Sequence, residues 1–459
     1  MPENEPTGKK KRRSGPPPPM FYANLADRFL LAHTYNKHPT VRFWQDQFWV
    51  WTRARPKYVP HNQKWMVSNV LAWLMEDGID SNYDTAVKVT HCIGAKTLLP
   101  ETMLAPCWLE ETSRPNDYLC MKNGLVSPGQ IARRINAGED PPKPLAPTPT
   151  WFSPVYVPYK YDPGAVNKRW LEWTKRRIKD PELIEMIAEW FGYCATPDTS
   201  RHTCVFLYGP GGTGKSTIER MLKQMVGEDN CSNLDLSEWG KTFALESTRG
   251  KLVNLSDEVA NLTSEAEKNL KIFIGGNPIS VDRKFLTRVD LVPSARLTVA
   301  VNVWPKFRDT SGAVFRRILV VPMNDIIDRD HQDPNVEVLM HANMSGVFNW
   351  AMNGLARLLR QGKFTNARSG QDELDRVRSE TQNHVTFFQE RVAESPGSFA
   401  SSSDLRVKYH GWCKAQKREP VSDTELFSAL QRTFPKCSRK QQRTGGRKVW
   451  GYRGIALSS

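Results

Sequence analysis

The chain has 459 residues, 39% of them hydrophobic, and a formal net charge of +15 at pH 7. This length is enough for two to four domains, and no apolar run approaches the roughly 20 residues of a membrane span. The first residues lack the apolar segment of a secretion signal, and the eight cysteines contain no Cys-x-x-Cys pair. We therefore expect a protein of a reducing compartment that binds a polyanion and no membrane.

The N-terminal tail, residues 1–20, is rich in charge and proline. It contains the basic run Lys9–Arg13 and the prolines 16–19. Such a composition buries too little apolar surface to pack a core, so it predicts disorder. The basic run suits a segment that contacts DNA, a nuclear signal or a solubilising tail, and these alternatives stay open.

An N-terminal α+β domain is predicted for residues 21–140. Its aromatic stretch Phe43–Trp51 is typical of two strands around a short turn, and Trp65–Met75 has helical spacing. Residues 141–200 then form a linker and a helical collar. This region begins with the proline-rich stretch Pro141–Pro149. Its two predicted helices cover residues 170–179, which are basic and amphipathic, and 183–191.

A nucleotide-binding core is predicted for residues 201–330, because apolar strand-like runs alternate there with helical segments. The run Cys204–Tyr208 enters a loop with the pattern Gly-four residues-Gly-Lys-Ser, and a helical apolar pattern follows. In such a loop backbone N–H groups surround the phosphates, Lys215 reaches the β/γ-phosphates and Ser216 binds Mg²⁺. In this context a plain glycine turn is the weaker explanation. The predicted ATP-binding residues are Gly209, Pro210, Gly211, Gly212, Thr213, Gly214, Lys215, Ser216 and Thr217.

Hydrolysis also needs a magnesium ligand and a group that orients the attacking water. An apolar run ends in Asp257 and Glu258, about forty residues after Lys215. We predict that Asp257 holds Mg²⁺ together with Ser216 and that Glu258 polarises the water. Alone, an Asp-Glu pair after a strand is often only a solvated turn. The assignment therefore depends on its place in the same α/β unit.

Two further apolar runs carry candidate catalytic groups. Asn302 follows one of them, at the carboxyl edge where open parallel sheets bind ligands, so it is placed to contact the γ-phosphate or the attacking water. A turn-forming Asn before Trp304 is the alternative. Arg316 and Arg317 precede the other run. An arginine from a neighbouring subunit would stabilise charge on the transferring phosphoryl group, whereas adjacent arginines are otherwise ordinary surface residues.

The rest of the chain is predicted to form a helical segment, residues 331–386, and a small module, residues 387–459. The module has helices at 404–416 and 423–434 followed by a basic hairpin, which is typical of a winged helix. Because the whole chain is basic, we favour DNA binding by the hairpin, with a solvated basic hairpin as the alternative. The cations concerned are Lys436, Arg439, Lys440, Arg443, Arg447 and Lys448.

Several of these segments resemble superfamily 3 helicases of the phage/plasmid primase-helicase and poxvirus primase-helicase type. The similarity extends from about Trp65 to the end and is densest over residues 150–360. The motifs that carry it are Phe191–Ser200 with the phosphate loop, Lys251–Glu258, Gly275–Ile279 with Arg283-Lys284, Val301-Asn302 and Phe315–Arg317, flanked by Pro154–Pro163, Ser345–Trp350 and Tyr409–Cys413.

The resemblance implies an AAA+-like P-loop ATPase with ATP and Mg²⁺ as cofactors. It implies a ring, usually a hexamer, that moves 3′→5′ on single-stranded DNA. The roles of the phosphate loop and of the two acids agree with it. Asn302 matches the sensor position of the family. Arg317 matches its arginine finger best, because it directly precedes an apolar strand, and Arg316 is the second choice.

The same resemblance implies a hairpin that grips DNA in the channel of the ring. Arg283, Lys284 and Phe285 fall in this region, and a cation beside an aromatic ring suits backbone contact with stacking. The sequence departs from the family at Asn277, where relatives commonly have Asp, so no role is assigned there. A primase domain is expected to be absent, because the region before residue 150 is too short for it beside the linker domain.

The leading hypothesis is thus an ATP-dependent, ring-forming DNA helicase that replicates a phage, plasmid or integrated mobile element. Its expected partners are single-stranded and forked DNA, further copies of itself, and a separate primase or loader, in the cytoplasm of a bacterial or phage-infected cell. The alternative is a replication initiator that binds DNA under the control of ATP without processive unwinding. A small-molecule P-loop kinase explains neither the basic termini, the candidate arginine finger nor the length.

Overall fold

The computed structural model describes residues 20–79, 81–110, 113–257, 259, 262–284, 286–305, 307, 312, 314–326, 335–381 and 383–458. The predicted N-terminal tail, apart from its last residue, lies outside the described residues. Within them, the chain divides into two compact units. The first unit is formed by residues 20–114 and 147–154, and the second by residues 115–146 and 155–458.

Helices and strands occur in both units. In chain order the α-helices are α1 (Met20–Ala32), α2 (Gln63–Glu76), α3 (Tyr83–Lys96), α4 (Pro128–Ala137), α5 (Lys168–Arg177), α6 (Pro181–Cys194), α7 (Lys215–Val226), α8 (Ser264–Ile274), α9 (Val336–His341), α10 (Met344–Gln361), α11 (Arg368–Thr381), α12 (Asn383–Arg391), α13 (Ser402–Ala415) and α14 (Asp423–Thr433). The strands are β1 (Thr34–Tyr35), β2 (His38–Pro39), β3 (Val41–Trp44), β4 (Gln47–Trp51), β5 (Tyr58–His61), β6 (Cys107–Trp108), β7 (Leu119–Met121), β8 (Gly124–Val126), β9 (Trp151–Phe152), β10 (Tyr156–Val157), β11 (Cys204–Tyr208), β12 (Cys231–Ser232), β13 (Val253–Asp257), β14 (Ile279–Arg283), β15 (Leu286–Leu291), β16 (Arg296–Val301), β17 (Ile318–Pro322), β18 (Val392–Ser401), β19 (Ser438–Thr444) and β20 (Arg447–Leu457). No helix in this described part of the chain has the length and apolar character needed to cross a membrane.

The first unit combines α1, α2 and α3 with the antiparallel sheet β3-β4-β5. The predicted aromatic strands are β3 and β4, joined by Gln45 and Asp46, which both have positive φ (49° and 63°). This turn conformation matches the right-handed twist of the strands. The predicted helix over Trp65–Met75 lies inside α2. It begins after Asn62, whose side chain accepts the N–H of Trp65.

A five-stranded parallel sheet organises the second unit, in the order β12-β13-β16-β11-β17. Val205 and Leu207 of β11 point into one hydrophobic core, and Cys204 and Phe206 point into another. A sheet that is covered on both faces has continuously apolar strands, which explains the unbroken runs in the sequence. The predicted α/β class with a parallel sheet is therefore confirmed. The finer AAA+ and winged-helix assignments stay predictions.

The position of β16 in this sheet decides where the candidate catalytic groups lie. β16 runs between β11, which leads into the phosphate loop, and β13, which ends at Asp257. Because the three strands are parallel, the loop, Asn302 and Asp257 share the carboxyl edge of the sheet. Arg316 and Arg317 precede β17 instead, so they lie at the amino edge.

The proline-rich stretch predicted as a linker belongs in part to the second unit. Leu145 pairs with Leu125, and each donates its N–H to the carbonyl of the other, at 2.9 and 2.8 Å. α4, which the sequence assigned to the N-terminal domain, packs on α10, and Asn136 Nδ2 donates to Ala356 O at 2.7 Å. The boundary therefore falls after residue 114 and not at residue 140. Local composition does not show a contact between helices so far apart in the chain.

The C-terminal part contains the helices predicted for it. α9 to α12 occupy the region predicted as helical, and α13 and α14 match the predicted helices 404–416 and 423–434. α12, α13 and α14 pack with the antiparallel sheet β18-β20-β19 around a separate hydrophobic core. The tight turn between β19 and β20 is made by Gly445 and Gly446, with φ of 57° and 80°. A basic hairpin thus follows two helices, as the sequence predicts.

Replacing glycine by alanine should have opposite effects on stability at two helical positions. A Cβ on Gly354 of α10 would lie 2.2 Å from the backbone of Ala188 in α6, whereas a Cβ on Gly411 of α13 would meet nothing within 4 Å. We expect Gly354→Ala to lower the free energy of unfolding by about 3 kcal/mol, because two helix backbones must separate. Gly411→Ala should raise it by about 0.5–1 kcal/mol.

Urea unfolding followed by circular dichroism would measure both variants against the unmodified protein. The close approach of α6 and α10 would be refuted if Gly354→Ala were as stable as Gly411→Ala.

Candidate nucleotide-binding site

The loop between β11 and α7 requires glycine at its two ends. Gly209 has a φ of 149°, and a Cβ there would lie 1.9 Å from the carbonyl oxygen of Met323. Gly214 has a φ of 99° and precedes the first residue of α7. A Cβ on Gly214 would lie 3.0 Å from the indole of Trp173, which packs behind the loop. Larger residues would therefore displace the backbone N–H groups from the positions that anion binding needs.

Lys215 connects the loop to the neighbouring strand. Its Nζ donates to Gly209 O at 2.7 Å, to Pro210 O at 2.8 Å and to Asn302 Oδ1 at 2.8 Å. The Lys215 side chain is buried, and burial lowers the pKa of its ammonium group. The structure thus brings two predicted site residues, Lys215 and Asn302, into direct contact.

The two hydroxyl residues at the start of α7 have different surroundings. Ser216 is exposed. Thr217 Oγ1 donates to Glu337 Oε1 at 2.9 Å, and Arg220 Nε donates to Glu337 Oε2 at 2.7 Å. Glu337 of α9 therefore holds the second hydroxyl and leaves Ser216 as the one directed to solvent. The pKa of Glu337 is lowered, chiefly by the hydrogen bond from Arg220.

Asp257 meets an acid that the sequence analysis did not identify. Glu219 of α7 is only 5% exposed and is hydrogen-bonded to the side chain of Asp257. Burial, and then the adjacent Asp257, raise the pKa of Glu219 to about 9. Among the described residues, Glu219 Oε1 has no hydrogen-bond partner. The backbone N–H of Asp257 donates to Asp235 Oδ1 at 3.2 Å, so a third acid lies beside this edge.

A sequence signal for Glu219 does exist. It follows Lys215 by four residues, and side chains four apart lie on the same side of a helix. A charged residue so placed, among the buried positions Ile218, Met221 and Leu222, points toward the end of the sheet. The Asp257 carboxylate and the Ser216 hydroxyl are oxygen groups of the type that Mg²⁺ prefers.

The two candidate arginine fingers have different environments. Arg317 is half-buried, and its Nη1 donates to Lys271 O at 2.9 Å. Arg316 is exposed. Ile318, next to them, pairs with Cys204 at the start of β11, so the phosphate loop at the end of β11 lies roughly 13 Å farther along the sheet. Neither arginine therefore lies beside the loop of its own chain.

The predicted DNA contacts fall into two groups. In the hairpin β14–β15, Lys284 is exposed, but Arg283 is 4% exposed and its Nε donates to Thr287 O at 2.9 Å. The Arg283 guanidinium is thus used inside the protein, and its contact with DNA stays a prediction. Phe285 and the predicted catalytic acid Glu258 lie outside the described residues. The six cations predicted to bind DNA in the C-terminal module are all exposed, namely Lys436, Arg439, Lys440, Arg443, Arg447 and Lys448.

The raised pKa of Glu219 predicts a pH-dependent stability. The carboxyl group has a pKa near 9 in the folded state and near 4.5 in the unfolded state. It therefore makes its full contribution to the free energy of unfolding below pH 4.5. That contribution is lost as the pH rises toward 9. Because glutamine cannot ionise, we expect Glu219→Gln to match the unmodified protein at pH 5 and to melt higher at pH 8, by roughly 2–4 °C or more.

Thermal melts without nucleotide or Mg²⁺, at pH 5, 6.5 and 8, would measure this difference. Glu265→Gln on the exposed surface of α8 is the matched control and should show no trend with pH. A constant difference between Glu219→Gln and the unmodified protein at the three pH values would contradict a buried, proton-holding carboxyl group.

Comparison with known proteins finds similar sequences. A family described as a family of unknown function (DUF5906) matches residues 207–317. Replication protein E1 of human papillomavirus 51 is 24% identical over 201 residues, which cover 42% of this chain and 30% of that protein. Replication protein E1 of human papillomavirus 69 is 25% identical over 151 residues, covering 33% and 23%. The chain thus spans no more than about a third of these relatives' length.

A solved structure described as the A form apo structure of the NrS-1 C terminal region-CTR has 12% sequence identity and a TM-score of 0.49. The match covers 94% of this chain and 98% of that one. The similarity to viral replication proteins lies at the level of sequence and is independent of that comparison. The resemblance to superfamily 3 helicases that the motifs predict is therefore confirmed, and the chain is related to viral replication proteins.

Proposed function

We propose that this chain is the ATP-driven motor of a DNA-replication helicase. The observation that carries the proposal is the meeting of Lys215 and Asn302, on neighbouring elements, beside the strand that ends at Asp257. A loop lysine, a polar amide and a carboxylate at one sheet edge suit the binding and hydrolysis of a nucleoside triphosphate. The relatives of the chain are replication proteins, which favours a motor over a small-molecule kinase.

The ATPase step follows from the groups at this edge. Lys215 would exchange its carbonyl and amide acceptors for the β- and γ-phosphate oxygens, and the loop N–H groups would hold the same phosphates. This exchange releases Asn302 Oδ1 to contact the attacking water. Ser216 and Asp257 would hold Mg²⁺, which when bound neutralises charge on the phosphates. Glu258, directly after Asp257, is the proposed group that orients the water.

The order of the sheet supports an AAA+-like core. In this order a strand lies between the loop strand β11 and the acid strand β13, and that inserted strand, β16, delivers the sensor amide Asn302. We further propose a ring of several copies, most simply a hexamer. The arginines before β17 lie at the amino edge, so one of them would act on the nucleotide of an adjacent copy.

DNA is the proposed track of the motor. Lys284 lies exposed at the tip of the β14–β15 hairpin, and the C-terminal module, proposed to be a winged helix, presents the six exposed cations predicted to bind DNA. Such contacts neutralise phosphates and favour a polyanion over a small substrate. Single-stranded DNA at a fork fits a motor that separates strands, whereas an initiator that only assembles on an origin would use the same surfaces on duplex DNA.

The first test removes the loop lysine. We expect Lys215→Ala to reduce ATP turnover to background and to abolish displacement of a strand from forked DNA, since the variant loses its contact with the transferring phosphate. Lys268→Ala, which removes an exposed lysine of α8, is the matched control and should keep both activities. Unchanged turnover in Lys215→Ala would refute the site, whereas turnover without strand displacement in the unmodified protein would favour the initiator.

The second test separates the two arginines. Because Arg317 already donates to Lys271 O, we expect Arg316 to be the residue that reaches the neighbouring copy. Arg316→Ala should then lower the rate of ATP turnover by roughly 10³-fold or more while nucleotide affinity changes little. Arg317→Ala should mainly lower the melting temperature, through loss of its bond to α8.

Mixing each arginine variant with Lys215→Ala protein gives the decisive measurement. In a mixture of Arg316→Ala and Lys215→Ala chains, some sites combine the intact loop of the first chain with the intact arginine of the second. We therefore expect this mixture to recover part of the ATP turnover. Recovery with Arg317→Ala alone would assign the finger to Arg317 instead.

A further inference from the structure

The C-terminal hairpin extends beyond the sheet that supports it. β18 pairs with β20 over residues 451–457, but β19 pairs with β20 back to Arg447. Residues 441–450, termed the arm, therefore form a two-stranded projection of roughly 14 Å. Every residue of the arm is exposed except Val449, which is half-buried.

The charge of this part of the chain has one sign. From Phe434 to the C-terminus the sequence contains no Asp or Glu. It contains the cations Lys436, Arg439, Lys440, Arg443, Arg447, Lys448 and Arg453. A projecting hairpin with so many cations and no carboxylate has no internal salt bridges to form, so it stays available for a polyanion.

One face of the arm carries an aromatic side chain among these cations. The register places Trp450 opposite Gln441 and Lys448 opposite Arg443, and these four residues share a face. Trp450 is 51% exposed, and the guanidinium carbon of Arg439 lies 5.0 Å from the centroid of its indole. Arg439 thus fixes one side of the ring while half of the side chain faces solvent.

The same face is continuous with the helical side of the module. Arg439 lies opposite Tyr452, which is buried, and the ring of Tyr452 stacks on Phe427 of α14 at 5.6 Å between centroids. Trp450 is therefore the next aromatic position outward from the core, on the side that α14 covers. Tyr452 has its partner within the protein, whereas Trp450 is half exposed and has Arg439 as its ring contact.

We propose that the arm binds single-stranded DNA, with an unpaired base stacked on Trp450 and neighbouring phosphates bound by Arg443 and Lys448. This inference rests on the proposed function as a DNA motor and deepens it. The indole offers a stacking surface, and a base can use that surface only when its own face is not covered by a neighbour in a duplex. Cations alone would bind duplex and single strand alike. The aromatic residue therefore gives the arm its preference for the unpaired strand.

The test compares single-stranded and duplex oligonucleotides in the full-length protein. Fluorescence anisotropy with labelled oligo(dT) and with a blunt duplex, without nucleotide, would measure the affinities of Trp450→Ala, Trp450→Phe and Arg443→Ala. We expect Trp450→Ala to weaken oligo(dT) binding about tenfold or more and duplex binding less than about twofold. Trp450→Phe should retain most of the affinity for oligo(dT), because its ring still stacks.

Arg443→Ala should weaken both ligands and lower the salt dependence of oligo(dT) binding by about 0.7 in the logarithmic slope. Val407→Ala, an exposed position on α13, is the control for folding of the module and should bind both ligands normally. Equal losses for oligo(dT) and duplex in Trp450→Ala, or no loss at all, would overturn the proposal.

The test of the arm can fail or succeed independently of the test of the motor. ATP turnover without DNA should be unchanged in Trp450→Ala, because the arm belongs to a module outside the nucleotide edge. If Lys215→Ala kept its turnover while Trp450→Ala lost oligo(dT) selectively, the motor would be wrong and the base-stacking arm would stand as a binding site.

Discussion

The insertion of β16 between β11 and β13 is the constraint on which the candidate site depends. Parallel strands end at one edge, and three adjacent strands bring the loop lysine, the amide of Asn302 and the carboxylate of Asp257 to that edge. The hydrophobic cores on the two faces fix the strands, so the polar groups need no flexible segment to approach one another. A different strand order would leave the same residues in the chain but separate them in space.

The polar groups of this edge are hydrogen-bonded within the protein. The ammonium of Lys215 is bound by carbonyl and amide oxygens, Glu219 by Asp257, and Glu337 by both Thr217 and Arg220. Each pairing lowers the cost of holding polar groups in a partly buried place. Nucleotide would compete for several of these partners at once. Since Glu337 belongs to α9, its hydrogen bond with Thr217 links the start of α7 to a helix more than a hundred residues away in sequence.

The sequence predicted the elements whose signals are local. The glycine-rich loop, the aromatic strands β3 and β4, and helices α2, α13 and α14 depend on periodicity and turn residues within a short window. It did not predict features made by distant partners. The raised pKa of Glu219 depends in part on its contact with Asp257. The pairing of Leu145 depends on Leu125, and the burial of Arg283 depends on the fold of its hairpin. Local sequence patterns do not identify the distant residue that completes a contact.

The chain passes from the first unit to the second, returns, and leaves again. Residues 115–146, which contain α4, are contributed to the second unit before residues 147–154 supply β9 to the first. No single cut therefore separates two intact halves: ending the chain at residue 114 deprives the first unit of a strand, and starting it at residue 155 deprives the second of a helix. An intact first unit needs both residues 20–114 and residues 147–154, so a chain that contains it also contains the segment 115–146 of the second unit.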